Sequence, residues 1–206
     1  MTATGSMPSQ KRLVLASGSQ ARLRVLRLAG IDPEVVVSGV DESTDGVGTA
    51  RAVAVLAERK ASAVARMRPG SLILGCDSLL DLDGTALGKP ASADEATEIW
   101  ARLSGRRASL HTGHCLVDGS GERLTEVAET VVRFGSPSAD EIAAYVKSGE
   151  PEALAGAFSI DGLGAPFVDG IDGDAGNVLG LSLPLLRRML ATFGIRIYDL
   201  WRDPIL

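Results

Sequence analysis

The chain has 206 residues, 45% of them hydrophobic, with a formal net charge of −5 and a pI near 5.1. That length suits one domain with a substantial core, and an acidic balance without a basic stripe argues against a nucleic-acid polymer as partner. No apolar run approaches the roughly 20 residues that span a bilayer, and two cysteines and two histidines without CxxC spacing leave little basis for a disulfide framework or a zinc site.

The first eleven residues, MTATGSMPSQK, are small and polar. They read as a disordered tail with no signal peptide, followed by a single domain over residues 12–206, and a cytoplasmic protein is expected. Residues 12–17 read as a strand broken by Gly18-Ser19, before a helix from Gln20 to Ala29 capped by Gly30. Ser17, Ser19 and Arg22 around that helix start would favour an anion, although the two serines can equally serve as helix caps. A second short strand is expected over 35–38. It is followed by the acidic pair Asp41-Glu42, which suits a hard cation held by one or two carboxylates plus phosphate oxygens, or simply a solvated loop.

From Thr49 to Met67 the apolar residues repeat at helical spacing, with Lys60 inside the apolar stripe. Such a lysine must snorkel to solvent or face an anion in a cleft. Only four of the 21 basic residues are lysines. The stretch from Leu72 to Pro90 reads as a short apolar run delivering Gly75-Cys76-Asp77-Ser78. A second run, Leu79 to Leu82, then turns at Asp83-Gly84 and ends at Gly88-Lys89-Pro90. This is a hairpin that places the Asp77 carboxylate and the Lys89 cation at the rim of a sheet.

Ser92-Ala93-Asp94-Glu95 and Ser138-Ala139-Asp140-Glu141 read as capping boxes opening two helices. Between them runs a hairpin, 109–117 and 124–134, on which His111 and His114 fall on opposite faces and cannot chelate one metal. Both are taken as structural. The segment 149–180 holds eight of the 24 glycines, which implies sharp turns or close backbone approaches. A helix from Pro184 to Phe193 and a final strand, 195–198, complete an α/β chain.

Taken in order, these stretches resemble the Maf family of nucleoside triphosphate pyrophosphatases. The similarity lies in LVLASGS with Arg22, VDES, the ERKA around Lys60, CDSLLDLDGTALGKP, LSGR with HTGH, and the region YVKSGEPEALAGAFSIDGLGAPFVDGIDGDAGNVLGLSLPLL. It runs from about residue 12 to residue 190. The resemblance implies hydrolysis of a nucleoside triphosphate to monophosphate and pyrophosphate in a house-cleaning role, with a divalent cation (Mg or Mn). It also implies an elongated mixed β-sheet flanked by helices around a central cleft, related to the inosine triphosphatase fold, and a homodimer. Carried over, Asp77 is the catalytic acid–base group and a metal carboxylate, Glu42 a metal or water-orienting carboxylate, Lys60 and Lys89 the phosphate cations, and Ser17, Ser19 and Arg22 the triphosphate lining.

Three departures stand out. The chain has Ser19-Gln20-Ala21-Arg22 where the family usually has Ser-Pro-Arg-Arg, and Leu154 where a lysine is usual. It has Ser78 and Asp161 where members acting on thymidine and uridine triphosphates carry Thr and Gln. A carboxylate only accepts hydrogen bonds, so Asp161 facing the base would favour a donor-rich edge of guanine type or a modified base. The alternatives are a nucleotide-binding regulatory protein with weak catalysis, or a phosphomonoester hydrolase releasing orthophosphate.

Overall fold

The computed structural model describes residues 12–44 and 46–202; the tail expected over 1–11 lies outside the described residues. Its elements run β1 (Leu13–Leu15), α1 (Gln20–Leu28), β2 (Glu34–Val35), α2 (Thr49–Met67), β3 (Leu72–Leu82), β4 (Thr85–Leu87), α3 (Ala93–Leu103), β5 (Arg107–Val117), β6 (Arg123–Phe134), α4 (Ala139–Lys147), β7 (Val168–Asp172), α5 (Ala175–Val178) and α6 (Leu183–Thr192). The strands form one mixed sheet in the order β2-β1-β3-β5-β6-β7, with β4 also on β3. β1 runs parallel to β2 and β3, and the other pairs are antiparallel.

β3 is the axis of this sheet, and it differs from the expected pair of short runs. It is one continuous strand of 11 residues that pairs with β5 from Ile73 to Asp81. Asp77 therefore sits in mid-strand opposite Gly113, not at the end of a run on the sheet rim. Gly75, which looks like a break, keeps the strand and lets α2 approach. A Cβ at Gly75 would lie 2.7 Å from the Ala61 amide nitrogen, and one at Gly113 would lie 2.8 Å from that of Ala54. Two glycines on the same face of adjacent strands, two register positions apart, thus seat α2 against the sheet.

Alternation along β3 assigns its faces. Gly75 and Asp77 point to α2, where Ala57, Ala61, Val64 and Cys115 share a core. Cys76 and Ser78 point the other way, where two separate cores meet the strand. The first gathers β1, α1 and α6 around Leu26, Leu74, Leu186 and Met189. The second gathers α3, α4 and the glycine-rich segment around Leu80, Trp100, Phe134 and Phe158. Trp100 anchors this second core, with Phe134, Tyr145 and Phe167 edge-on at 5.7–5.8 Å. Ser78 falls at the boundary between the two.

Other boundaries differ in instructive ways. β1 is shorter than residues 12–17, because Ala16 leaves the ladder with a last bond to the Leu74 carbonyl and the chain turns into α1. β2 is a two-residue edge strand, shorter than 35–38. Ser138 and Glu141 form the expected reciprocal capping box. At α3, Ser92 caps Glu95, but Glu95 accepts from the Ala91 N–H instead of closing the box. The expected final strand is a 3-10 turn, Ile197–Leu200, because the Asp199 carboxylate accepts from the backbone N–H of Arg196 and curls the chain. Only an isolated bridge, Ile31 to Trp201, keeps β pairing there. The glycine-rich segment becomes three 3-10 turns, β7 and α5, with Gly156 at φ 70° folded so closely over Leu80 that a Cβ would meet its side chain at 2.5 Å.

Candidate active site

On the side of β3 away from β5, β1 covers only Leu72–Leu74 and β4 only Leu80–Leu82. Among the described residues no strand lies beside 75–79 on that side. Asp77 and Ser78 sit in this gap and, as successive strand residues, present their side chains to opposite faces. Two polar clusters form there, one on each face.

On the α2 face, Lys60 is 7% exposed, held inside the apolar stripe that the sequence indicated. Its Nζ donates to Asp77 Oδ1 at 2.5 Å and pairs with Glu42 Oε1 at 2.7 Å. Asp77 is 8% exposed, whereas the Glu42 side chain is largely in solvent. A buried ammonium is thus compensated by two carboxylates that converge on one point. Asp41, the other half of the acidic pair, turns away. It accepts from the backbone N–H and hydroxyl of Ser43, and the backbone bond foremost holds its carboxyl below the usual range.

On the α1 face, Arg22 is 8% exposed and donates from Nε to the Gly180 carbonyl at 2.8 Å, from Nη1 to Ser17 Oγ at 3.0 Å and from Nη2 to Ser78 Oγ at 2.9 Å. All three acceptors are neutral. A guanidinium carries five N–H groups, so two remain, and a buried cation without a counter-charge is costly unless an anion completes the site. Ser17 also accepts from the Ser19 N–H, and Ser19 caps α1 by accepting from the Arg22 N–H. Of the two serines, then, Ser17 holds the arginine side chain and Ser19 holds its backbone.

Behind Ser78 lies a relay the sequence did not disclose. Ser78 Oγ meets Thr112 Oγ1 at 2.9 Å, and Thr112 lies 3.2 Å from the Asn177 carbonyl oxygen. Asn177 is fully buried and donates to the Leu110 carbonyl and to Thr130 Oγ1. His114, also fully buried, has Nδ1 3.0 Å from the Thr112 carbonyl, while its Nε2 accepts from the Ser182 N–H at 2.9 Å. Burial pushes the imidazole down to about 4, so it is neutral. The two histidines lie on opposite strand faces as expected, and among the described residues no hydrogen bond or ion pair joins His111 to either cluster.

The remaining sequence-derived residues stand apart. Lys89 is exposed and has no ion-pair partner among the described residues. Asp161 is exposed, accepts from Ser159 Oγ at 2.7 Å and pairs with Arg24 of α1. Neither touches Asp77 or Arg22. Among the described residues no three His, Cys, Asp or Glu gather into a ready metal-ligand set. Glu42 and Asp77 do offer hard oxygen donors aimed at one cation position, now taken by Lys60 Nζ, which suits Mg²⁺ or Mn²⁺ if phosphate oxygens complete the shell. A separate open groove of about 450 Å³, lined by Asp41, Glu58, Arg59, Arg66 and Arg123, includes neither Lys60 nor Asp77. No helix among the described residues is long and apolar enough to cross a membrane.

Residues 12–193 match the family described as Maf-like protein. The chain is 60% identical over 196 residues to a Streptomyces coelicolor protein named nucleoside triphosphate pyrophosphatase, covering 93% of this chain and 95% of that one. It is 53% identical over 205 residues to a Salinispora tropica protein of the same name, covering 96% and 90%. Among solved structures, a Mycobacterium abscessus nucleoside-triphosphatase described as a dITP/XTP pyrophosphatase aligns over 89% of this chain and 96% of that one. That alignment has 17% identity and a TM-score of 0.40.

Proposed function

The chain belongs to the Maf-like family, and from that premise we infer that it is a nucleoside triphosphate pyrophosphatase, a hydrolase that yields a nucleoside monophosphate and pyrophosphate. The observation that carries the reading for this chain's own residues is the gap beside residues 75–79 of β3. Carboxylates reach it on one face and a cation with spare donors on the other.

In this reading the triphosphate straddles the gap. Arg22, with Ser17 and Ser78 setting its plane, directs its two free N–H groups at phosphate oxygens, a fork geometry suited to such oxygens. Asp77 orients a water molecule and takes its proton. The hydroxide so formed attacks the α-phosphorus, the bond to the bridging oxygen breaks, and its electron pair leaves with the pyrophosphate. Lys60 passes from its two carboxylates toward the phosphates, and Lys89, which has no fixed partner, closes on the leaving group; both neutralise charge as it builds. Glu42 and Asp77 would hold a divalent cation, Mg²⁺ or Mn²⁺. When bound, that cation supplies charge neutralisation and polarisation of the phosphoryl oxygens.

The finer reading of substrate is a guanine-type or modified base, facing Asp161. Its carboxylate already accepts from Ser159 and Arg24 but has about four lone-pair sites in all, so acceptor capacity remains. A single domain, a homodimer and a cytoplasmic location belong to the same reading; sedimentation tests the dimer and cell fractionation the location.

The deciding experiment is product analysis with a panel of nucleoside triphosphates, with Mg²⁺ and with Mn²⁺, with Asp77→Asn as control. Pyrophosphate released by the wild type and not by the variant is expected. Orthophosphate as the first product, or tight nucleotide binding without metal-dependent turnover, would overturn the reading.

A further inference from the structure

Of the three acceptors that aim Arg22, Ser78 belongs to a strand and Ser17 to the turn locked by the cap of α1. The third, the Gly180 carbonyl, belongs to the loop between α5 and α6. Gly180 has φ +94° and comes so near the guanidinium that a Cβ would lie 3.2 Å from Nε. What fixes this loop is therefore what fixes the arginine. Leu181 N–H closes the turn onto the Gly176 carbonyl, and the next residue, Ser182, gives its N–H to His114 Nε2.

A histidine at 114 has no other evident reason. Its side chain lies toward the aliphatic core shared by α1 and α6, beside Cys76 across the ladder. An apolar residue would fill that place without the cost of burying a ring with two polar atoms. Its Nδ1–H is held by the Thr112 carbonyl, which leaves Nε2 as the acceptor.

We propose that His114 is a positioning residue for Arg22: it anchors Ser182, and through the Gly180–Ser182 turn it sets the carbonyl that orients the guanidinium toward phosphate. The inference rests on the reading of Arg22 as a phosphate ligand.

The test is a double-mutant cycle read by tripolyphosphate binding in a calorimeter, a probe that has no base and so is independent of nucleotide preference. His114→Asn, whose amide is too short to reach Ser182, weakens binding about tenfold, the scale of one charge-assisted hydrogen bond misaligned. His114→Gln places an oxygen where Nε2 was and restores affinity to within about twofold. With Arg22→Ala already present, His114→Asn adds less than about twofold, because the two act as one unit. Thermal unfolding accompanies each variant, and His114→Leu serves as an acceptor-free form should the Asn variant not fold. An equal loss in both backgrounds, or equal losses for Gln and Asn, overturns the inference while leaving Arg22 as a phosphate ligand. Wild-type affinity in Arg22→Ala overturns the phosphate role of Arg22 and the inference with it.

Discussion

On the α2 face of β3 the ammonium of Lys60 is buried between two carboxylates, whereas on the α1 face the guanidinium of Arg22 is buried against one carbonyl and two hydroxyls. Both cations are less than a tenth exposed, so the difference is one of company, not of depth. The first cluster is electrically complete without a ligand and carries an excess of negative charge. The second has no counter-charge and keeps two N–H donors unused. Residues of consecutive number, Asp77 and Ser78, thus belong to opposite halves of one site: a half that acts on water, and a half that waits for an anion. That division predicts that damage to the two faces has different consequences.

The largest effect is expected on the α2 face. Asp77→Asn keeps shape and removes the base, and kcat falls by about 10³-fold, within the usual range for a general base. Tripolyphosphate affinity stays close to wild type. A parallel loss of binding and turnover would show that the two faces do not divide the work. Arg22→Met gives the mirror result: affinity falls by a factor of about 10 to 100, as for loss of charge-assisted hydrogen bonds, and is read in the same titration.

Stability separates the faces as well. Lys60→Met leaves Asp77 buried beside Glu42 with no counter-charge, and unfolding free energy drops by about 3 kcal/mol, the scale for removing one partner of a buried pair. Arg22→Met also removes an uncompensated charge, and its cost is smaller, about 1 kcal/mol, from hydroxyl and carbonyl acceptors left to rearrange. Urea denaturation of both variants at pH 7 measures the contrast. A larger loss for Arg22→Met would mean that the neutral oxygens compensate the guanidinium fully.

How far these faces could be read from sequence follows from what each one needs. Lys60 was legible because a lysine in an apolar helical stripe must have a reason, and Ser17, Ser19 and Arg22 because a strand, a Ser-Gly-Ser turn and a helix start form a local pattern. The sheet with its helices was legible from periodicity, and α2 from Thr49 to Met67 matches the expected span. The unbroken course of β3 through Gly75 was not, since a glycine set there by helix contact looks like one set there by a turn. The Thr112, Asn177, Gly180 and Ser182 contacts were hidden for another reason. They depend on the register of β3 against β5 and on a loop 60 to 70 residues further along the chain. Alternation from His114 was the one available hint, because it places Thr112 on the same face.

The α1 face also carries a sensitivity to acid. The neutral His114 ring, packed near Arg22 and Asp174, has its proton affinity lowered from the ordinary 6.5 to about 4 by burial. Between those values the unfolded chain binds a proton that the folded chain refuses, so stability is intact above pH 6.5 and falls as the pH drops toward 4. The full contribution is about 3 kcal/mol, of which about 2 is gone at pH 5. Urea midpoints for wild type and His114→Gln across this window measure it: the wild-type curve falls more steeply, by the proton that Gln cannot take up. Parallel curves would place the acid sensitivity elsewhere.

The smallest stability effect is expected where α1 meets the glycine-rich segment, at the exposed pair of Arg24 and Asp161. Such a pair is worth about 0 to 1 kcal/mol and is screened by salt, so Arg24→Gln leaves the urea midpoint nearly unchanged. Its consequence lies in selectivity. If Asp161 reads the base, releasing it from Arg24 frees an acceptor and sharpens the preference for donor-rich bases, whereas Asp161→Gln, with a donor beside its acceptor, flattens it. Relative kcat/KM for guanine and uracil triphosphates in the two variants should therefore move in opposite directions. Movement in the same direction would make the pair a tether between α1 and the loop, and would leave base selection to Ser78, in the phosphate half of the site.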